Sequence, residues 1–317
     1  MFLSDKTILV TGGAGFIGSN ITESLLVQGV RKVRVLDNLC TGHMKNIKFL
    51  LDKHDNLEFI YGDICCLQTC RKAMKGVDII CHQAALGSVP RSMLDPLSSH
   101  NANVNGFLNI LLAAKESGIK RIVYASSSSV YGDEEVLPKT EEKVGKVLSP
   151  YAATKKIDEI YANVFTRCYG MELLGMRYFN VFGKRQDPKC AYAAVIPKFI
   201  NMMKQGKRPT INGDGTYSRD FTYIDNVVKA NILAMLTTNK ECYGEVFNIG
   251  ASGRVTIMEL FEAIKTHLKV DLEPILGTHR PGDIPHSFAN VSKAQAMLNY
   301  TPFIDFSEGI RRTVNFY

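Results

Sequence analysis

Lys6-Thr-Ile-Leu-Val-Thr11 runs directly into Gly12-Gly-Ala-Gly15-Phe-Ile-Gly18 at the head of a 317-residue chain. Three apolar residues in a row, two of them β-branched, predict a short buried strand over 6–11. The glycines then open a helix that continues to about Gln28, where Gly29 ends it. Glycine is wanted here for physical reasons. One permits the tight turn, one lets backbone approach a pyrophosphate, and one lets the helix pack on the strand. A diphosphate placed there meets the free N–H groups and positive dipole end of the helix.

The next strand, Lys32-Val-Arg-Val-Leu-Asp37, ends on an acid nineteen residues after Gly18. A carboxylate at that spacing accepts from adenosine ribose hydroxyls and repels a 2′-phosphate, so NAD is expected rather than NADP. A turn-forming Asp before Asn38 is the alternative for this residue. Strands at 56–61, 77–81 and 120–125 alternate with helices near 67–75, 101–117 and after Ser149-Pro150. Such alternation predicts a Rossmann-type α/β fold, a doubly wound parallel sheet whose ligands gather at the carboxyl ends of its strands. Gly15, Asp37, Asp63, Ala84, Ala85 and Ser127 all fall there. Beyond Asn180 the pattern loosens into loops at 183–190, 212–220 and 277–286 and helices near 192–205, 226–237 and 256–268. A β segment at 244–249 is expected to rejoin the sheet. The expected division is therefore a dinucleotide-binding domain over 1–179, joined by 225–250, and a smaller interwoven lobe from 180–224 and 251–317.

Tyr151-Ala-Ala-Thr-Lys155 places a phenol and an ammonium one helical turn apart on one face. A free tyrosine titrates near about 10, and a positive neighbour favours the phenolate a general base needs. The spacing also occurs by chance in amphipathic helices, with an exposed Lys beside a half-buried Tyr. Ser127, in Ser126-Ser-Ser-Ser129-Val-Tyr-Gly132, supplies a hydroxyl from a separate strand end. Local turn hydrogen bonding by serines after a strand is the other account of this run, and for Ser126 it suffices.

A composition of 45% hydrophobic and 22% charged residues is that of an ordinary globular protein. The net charge of +7 comes from scattered basic residues, which fits a dianionic small substrate better than nucleic acid. No run of apolar residues is long enough to span a membrane, and the first strand begins too early for a signal peptide. The eight cysteines (40, 65, 66, 70, 81, 168, 190 and 242) show no paired framework. Cys65, Cys66 and Cys70 lack the second pair of a metal site, so no metal is expected and the thiols read as reduced, in a cytoplasmic protein.

With these motifs in place, the chain resembles an extended short-chain dehydrogenase/reductase and, within that family, bacterial UDP-N-acetylglucosamine 4-epimerases. The similarity covers nearly the whole length: GGAGFIG (12–18), HQAALGSVPRS (82–92), SSSSVYG (126–132), SPYAATK (149–155), RYFNVFG (177–183), YAAVIPKF (192–199), GDGTYSRDFTYIDN (213–226) and RPGDIPHS (280–287). Phe199 stands where relatives often carry Trp, an aromatic replacement of little consequence. The resemblance implies a tightly bound NAD held by Gly12, Gly15, Phe16, Ile17 and Gly18, by Asp37, Asn38 and Gly42, and by Asp63 and Ile64. Gln83, Ala84 and Ala85, with Tyr151 and Lys155, complete the implied cofactor set. It further implies that Tyr151 takes the proton of the sugar 4-hydroxyl, that Ser127 relays it, and that Lys155 holds the nicotinamide ribose. A homodimer through the helices near 101–117 and 151–168, and a place in polysaccharide biosynthesis, are implied in the same way.

On the sugar side the resemblance implies contacts from Gly87, Ser88, Ser127, Ser128, Tyr151 and Asn180, and from Ala194, Val195, Asn212, Asp283 and Ser287. Arg219 and Arg280 match positions that hold the UDP diphosphate, a role suited to guanidinium forks. Surface salt bridges are the alternative for these two arginines. Gly87, Ser88, Ala194 and Ser287 are small enough to admit a 2-acetamido group, although Gly87 serves equally as a loop glycine and Ala194 as a packing residue. Related 4,6-dehydratases carry an Asp-Glu pair where this chain has Ser128-Ser129, and decarboxylases carry a Glu at 129. Eliminating water needs an acid and a base there, which two hydroxyls do not supply. Three readings follow: a UDP-N-acetylhexosamine 4-epimerase, a UDP-glucuronate or UDP-glucose 4-epimerase, and a non-enzymatic NAD-binding protein of the same fold.

Overall fold

Every residue of β1 (Thr7–Thr11) is buried, because the strand pairs on both edges and is covered on both faces. The computed structural model describes residues 3–188, 194–278 and 284–317. On one side of β1 lie β2 (Lys32–Asp37) and then β3 (Leu57–Tyr61); on the other lie β4 (Ile79–His82), β5 (Arg121–Ser127) and β6 (Glu172–Tyr178). The strand Val246–Ile249 pairs with β6 and completes a seven-stranded, fully parallel sheet. The register sets Thr11 opposite both Leu36 and His82, and Ser127 opposite Tyr178, so the carboxyl ends finish along one edge.

The two-residue period of β1 divides the core. Ile8 and Val10 pack with Ile21 and Leu25 of the first helix (Phe16–Val27) and with Val227, Ala230 and Ala234 of the helix Ile224–Leu236. Leu9 turns to the other face and meets Phe107, Ile110 and Leu111 of the helix Gly106–Glu116, with Ala162 and Phe165 of the long helix Pro150–Tyr169. Each fully buried Val, Leu, Ile or Phe side chain among them stabilises by about 1.5–3 kcal/mol, and these contacts fix the helices against the sheet. The long helix is bounded by sequence: Ser149 accepts from the Ala152 N–H at 3.1 Å, Pro150 occupies the first turn, and Gly170 ends it at φ +63°.

One expected element differs in form. The helix foreseen over 101–117 is regular from Gly106 to Glu116 but begins with a wide π-type turn, Asn101–Asn105. Asn103 in that turn is buried; its side-chain oxygen accepts from the Leu86 N–H at 2.8 Å and its amide donates to Thr154 Oγ1 at 3.0 Å. Two short helices, Val89–Leu94 and Pro96–His100, were not expected from the apolar pattern. Their caps were in the sequence nonetheless: Ser88 and Asp95 each accept an N–H three residues on, and each is followed by a first-turn proline.

Among the described residues after β6 there are three two-stranded ribbons: Val181–Phe182 with Thr222–Tyr223, Ser218–Arg219 with Val255–Thr256, and Thr210–Asn212 with Ile275–Gly277. Phe182, Phe199, Leu260 and Phe261 of this part share one apolar cluster with Ile8 and Val10, so it packs onto the sheet. No described helix is long and apolar enough to cross a membrane.

Candidate functional site

A cavity of about 580 Å³ opens along the carboxyl edge of the sheet. Its walls come from successive strand ends: Gly12 after β1, Asp37 at the end of β2, Asp63 after β3, Gln83 after β4, Ser126 in β5 and Tyr178 closing β6. Gly15, Phe16, Ile17 and Gly18 enter from the start of the first helix, and Tyr151 and Lys155 from the long helix.

Two glycines show why the loop has this composition. Gly12 has φ +66°, and a Cβ there would lie 2.7 Å from Ala84 N; a Cβ on Gly18 would lie 2.2 Å from Gly12 O. Neither position admits a side chain without moving backbone. Asp37 is buried, and its two oxygens accept from Ala14 N–H at 2.9 Å and Leu39 N–H at 2.8 Å. Asn38 donates to Asp63 Oδ2 at 2.8 Å, while Asp63 Oδ1 accepts from Cys65 N–H at 2.7 Å. Burial works to raise the Asp63 carboxyl, but the bonds from Cys65 and Asn38 outweigh it and hold the group below its ordinary range. Gln83, Tyr178 and Asn231 close a hydrogen-bonded triangle, with Tyr178 Oη 3.1 Å from both Gln83 Oε1 and Asn231 Oδ1. Burial pushes the Tyr178 phenol up, so it stays a neutral hydroxyl.

Lys155 is buried and donates to Ala125 O at 2.9 Å and to Asp158 Oδ2 at 3.2 Å. Burial raises the Asp158 carboxyl, against the pull of the Lys155 ammonium. Glu159 is bound differently: Arg177 grips both its oxygens at 2.8 and 2.9 Å, and the Ser126 hydroxyl donates to Oε1 at 2.7 Å. Burial opposes the Glu159 charge, yet the Arg177 guanidinium wins and holds the carboxyl below its ordinary range. His82, whose Nδ1 lies 2.8 Å from Thr11 Oγ1, is pushed down to about 3 by burial and by the Lys155 charge, and is therefore neutral. The start of the long helix is tied down by the Tyr151 N–H, which donates to Ser92 Oγ at 3.0 Å.

The family model described as "NAD dependent epimerase/dehydratase family" matches residues 8–250. The chain belongs to this family. Among similar proteins is a solved structure described as a UDP-N-acetylglucosamine 4-epimerase from Methanobrevibacter ruminantium in complex with UDP-N-acetylmuramic acid. It is 40% identical, with a TM-score of 0.93 over 99% of this chain and 98% of that one. A putative UDP-glucose 4-epimerase from Methanocaldococcus jannaschii is 39% identical over 97% of each chain. A UDP-glucuronate 4-epimerase from Thermodesulfobacterium geofontis is 34% identical, over 97% of this chain and 94% of that one.

NAD is the cofactor of this epimerase/dehydratase-family chain, and the residues present fit it. Side-chain-free backbone at Gly12 and Gly18 leaves room for close approach of a diphosphate. Asp37 holds an acceptor at the cavity wall, and a Cβ on Gly42 would crowd its two oxygens at 3.0 Å. Of the positions expected on the cofactor side, Gly12, Gly15, Phe16, Ile17, Gly18, Asp37, Asn38, Asp63 and Ile64 line the cavity, as do Gln83, Ala84, Ala85, Tyr151 and Lys155. Gly42 stands behind Asp37 instead of in the wall.

The expected sugar-side residues of the family chain are more dispersed. Gly87 and Tyr151 line the cavity, whereas Ser127, the last residue of β5, and Ser128 follow the wall residue Ser126 and are not in the wall; Ser127 Oγ accepts from Ser129 N–H and Oγ at 3.1 and 3.0 Å. Ser88 caps the helix Val89–Leu94. Asn180 follows β6 at φ +30° and donates to Asp220 O at 3.3 Å. Ala194 and Val195 begin the helix Val195–Lys204, and Asn212 ends a short strand. Arg219 donates to Ser218 O at 2.9 Å and Pro285 O at 3.0 Å, and the Ser287 N–H donates to Ser218 O at 3.1 Å, so these two share one acceptor. Arg280 and Asp283 lie outside the described residues. Leu36, Ser98, Asn101 and Tyr178 also line the cavity and were not singled out from the sequence, and so does Cys65, which the sequence marked only as a reduced thiol. Tyr178 lay within the RYFNVFG motif, two residues before the chosen Asn180. Among the described residues no group of three or more His, Cys, Asp or Glu is placed to hold a metal ion.

Proposed function

We propose that the chain is a UDP-sugar 4-epimerase that interconverts UDP-N-acetylglucosamine and UDP-N-acetylgalactosamine through a 4-keto sugar. The observation that carries this reading is the placing of Tyr151 and Lys155 on the wall shared with the glycine loop and Asp37, with serines instead of carboxylates at 128 and 129. NAD, when bound, supplies a reversible hydride acceptor. Tyr151 takes the proton from the sugar 4-hydroxyl as the carbon–hydrogen bond at carbon 4 is broken. Ser127, the last residue of β5, passes the proton. The ammonium of Lys155 supports the phenolate and holds the nicotinamide ribose. The 4-keto sugar turns within the pocket, Tyr151 returns the proton to the oxygen, and carbon 4 is left inverted. Neutral His82 adds no competing charge near Lys155.

The smaller lobe supplies the UDP-sugar side in this reading, with Arg219 and Arg280 on the diphosphate and Gly87, Ser88, Ala194 and Ser287 leaving space for the 2-acetamido group. The 40% identical structure with a UDP-N-acetylated sugar supports the N-acetyl preference. A second reading, UDP-glucuronate or UDP-glucose, is favoured by the relatives that carry those names. The enzyme is further proposed to be a cytoplasmic homodimer joined through the helices Gly106–Glu116 and Pro150–Tyr169. The test is turnover of UDP-N-acetylglucosamine, UDP-glucose and UDP-glucuronate side by side. A kcat/KM at least about tenfold higher for the N-acetylated sugar is expected, the size one well-filled pocket contact supplies. Equal turnover sinks the preference, and no turnover of any UDP-sugar sinks the activity.

A further inference from the structure

Asp158 is a buried carboxylate that the proton path above does not use. It is 1% exposed, lies three residues beyond Lys155 on the long helix, and places Oδ2 3.2 Å from the Lys155 ammonium. Its other oxygen, Oδ1, is buried and has no hydrogen-bond partner among the described groups. An aliphatic residue would fill this place without that desolvation cost, so the carboxylate needs a reason beyond packing. The neighbouring acid cannot substitute for it, since Glu159 is engaged by Arg177 and Ser126.

The donor count of the lysine gives that reason. An ammonium has three N–H groups. Lys155 gives one to Ala125 O on β5 and one to Asp158 on its own helix, and it lines the cavity. Two anchors on different elements determine where the third N–H points. With Ala125 O alone the ammonium is free to rotate about a single bond and carries an uncompensated buried charge.

We propose that Asp158 is a positioning residue for Lys155: it aims the third ammonium N–H into the cavity and balances the buried charge there. The inference rests on the reading of Tyr151 and Lys155 given above. Asp158→Leu removes both charge and acceptor; Asp158→Asn keeps an acceptor oxygen and removes the charge.

Four measurements on the NAD-loaded full chain test it. In Asp158→Leu, kcat for UDP-N-acetylglucosamine falls by about tenfold to a hundredfold, the scale of a misplaced catalytic group, while KM stays within about twofold. Asp158→Asn recovers part of the loss. In a Lys155→Met background, the same Asp158 substitutions cost less than about twofold, because the group they act through is gone. Independently of turnover, the Lys155 ammonium 1H–15N cross-peak of 15N-lysine-labelled protein, assigned by its absence in Lys155→Met, shifts in Asp158→Asn and is lost in Asp158→Leu. Equal losses with and without the Lys155→Met substitution, or an unmoved cross-peak and wild-type kcat in Asp158→Asn, overturn the proposal, and Asp158→Asn decides it should Asp158→Leu not fold. If wild type epimerises no UDP-sugar, or Lys155→Met keeps full activity, the parent reading fails and this inference with it. If Lys155→Met is impaired but the Asp158 variants turn over normally, only this inference fails.

Discussion

Gly18 and Tyr151 carry the two demands that individual residues meet. Gly18 must be bare, since a Cβ would sit 2.2 Å from Gly12 O. Gly18→Ala is expected to displace the loop and to yield purified protein with little bound NAD, read by absorbance after denaturation. A fully loaded variant would contradict the close packing. In the proposed reaction the Tyr151 hydroxyl is the proton acceptor, but its side chain is not needed to hold the helix, whose start is anchored by the backbone N–H on Ser92. Tyr151→Phe should therefore keep its NAD and its thermal midpoint while kcat drops by about 10²–10⁴, the usual contribution of a general base. Retained epimerisation would refute the assignment. Both residues could be chosen from the sequence because their spacing reports local geometry, a turn in one case and a helical face in the other. Asp158 could not: whether an acid three residues after a Lys faces solvent or the core depends on what covers the helix.

At the scale of elements, the long helix is held to β6 by the buried pair Glu159–Arg177. Removing one partner of such a pair leaves an uncompensated charge, which costs about 3–5 kcal/mol. Glu159→Ala should lower the unfolding free energy by that order in denaturant titrations at neutral pH. Because the folded Glu159 carboxyl titrates below its ordinary 4.5, its contribution is present above that value and is lost as pH falls through the folded one. The gap between wild type and Glu159→Ala is accordingly expected to narrow in acid; a gap that widens there would show that the pair is not the cause. Strand–helix alternation made the long helix legible, with Ser149-Pro150 marking its start; Gly170, which ends it, was not read from the sequence. The wide turn at Asn101–Asn105 was not, because it goes with buried bonds from Asn103 to Leu86 and Thr154, partners far away in sequence.

The whole molecule adds what no element holds alone. Ile160 and Val164 stand one turn apart on the long helix at 55% and 44% exposure, an apolar strip suited to the proposed dimer. Light scattering should give about twice the 35.2 kDa chain mass for wild type and a monomer for Ile160→Glu/Val164→Glu; a monomeric wild type would remove the dimer. Periodicity and turn chemistry are properties of neighbours along the chain, and so the parallel sheet, the glycine loop, the acid that ends the second strand and the Tyr–Lys pair could all be read from the sequence. Strand order, the gathering of six strand ends around one cavity, the neutral state of His82 and the anchoring of Lys155 by Asp158 come from contacts between distant segments. Those depend on burial and on which partner fills each hydrogen bond, and only the folded chain decides them.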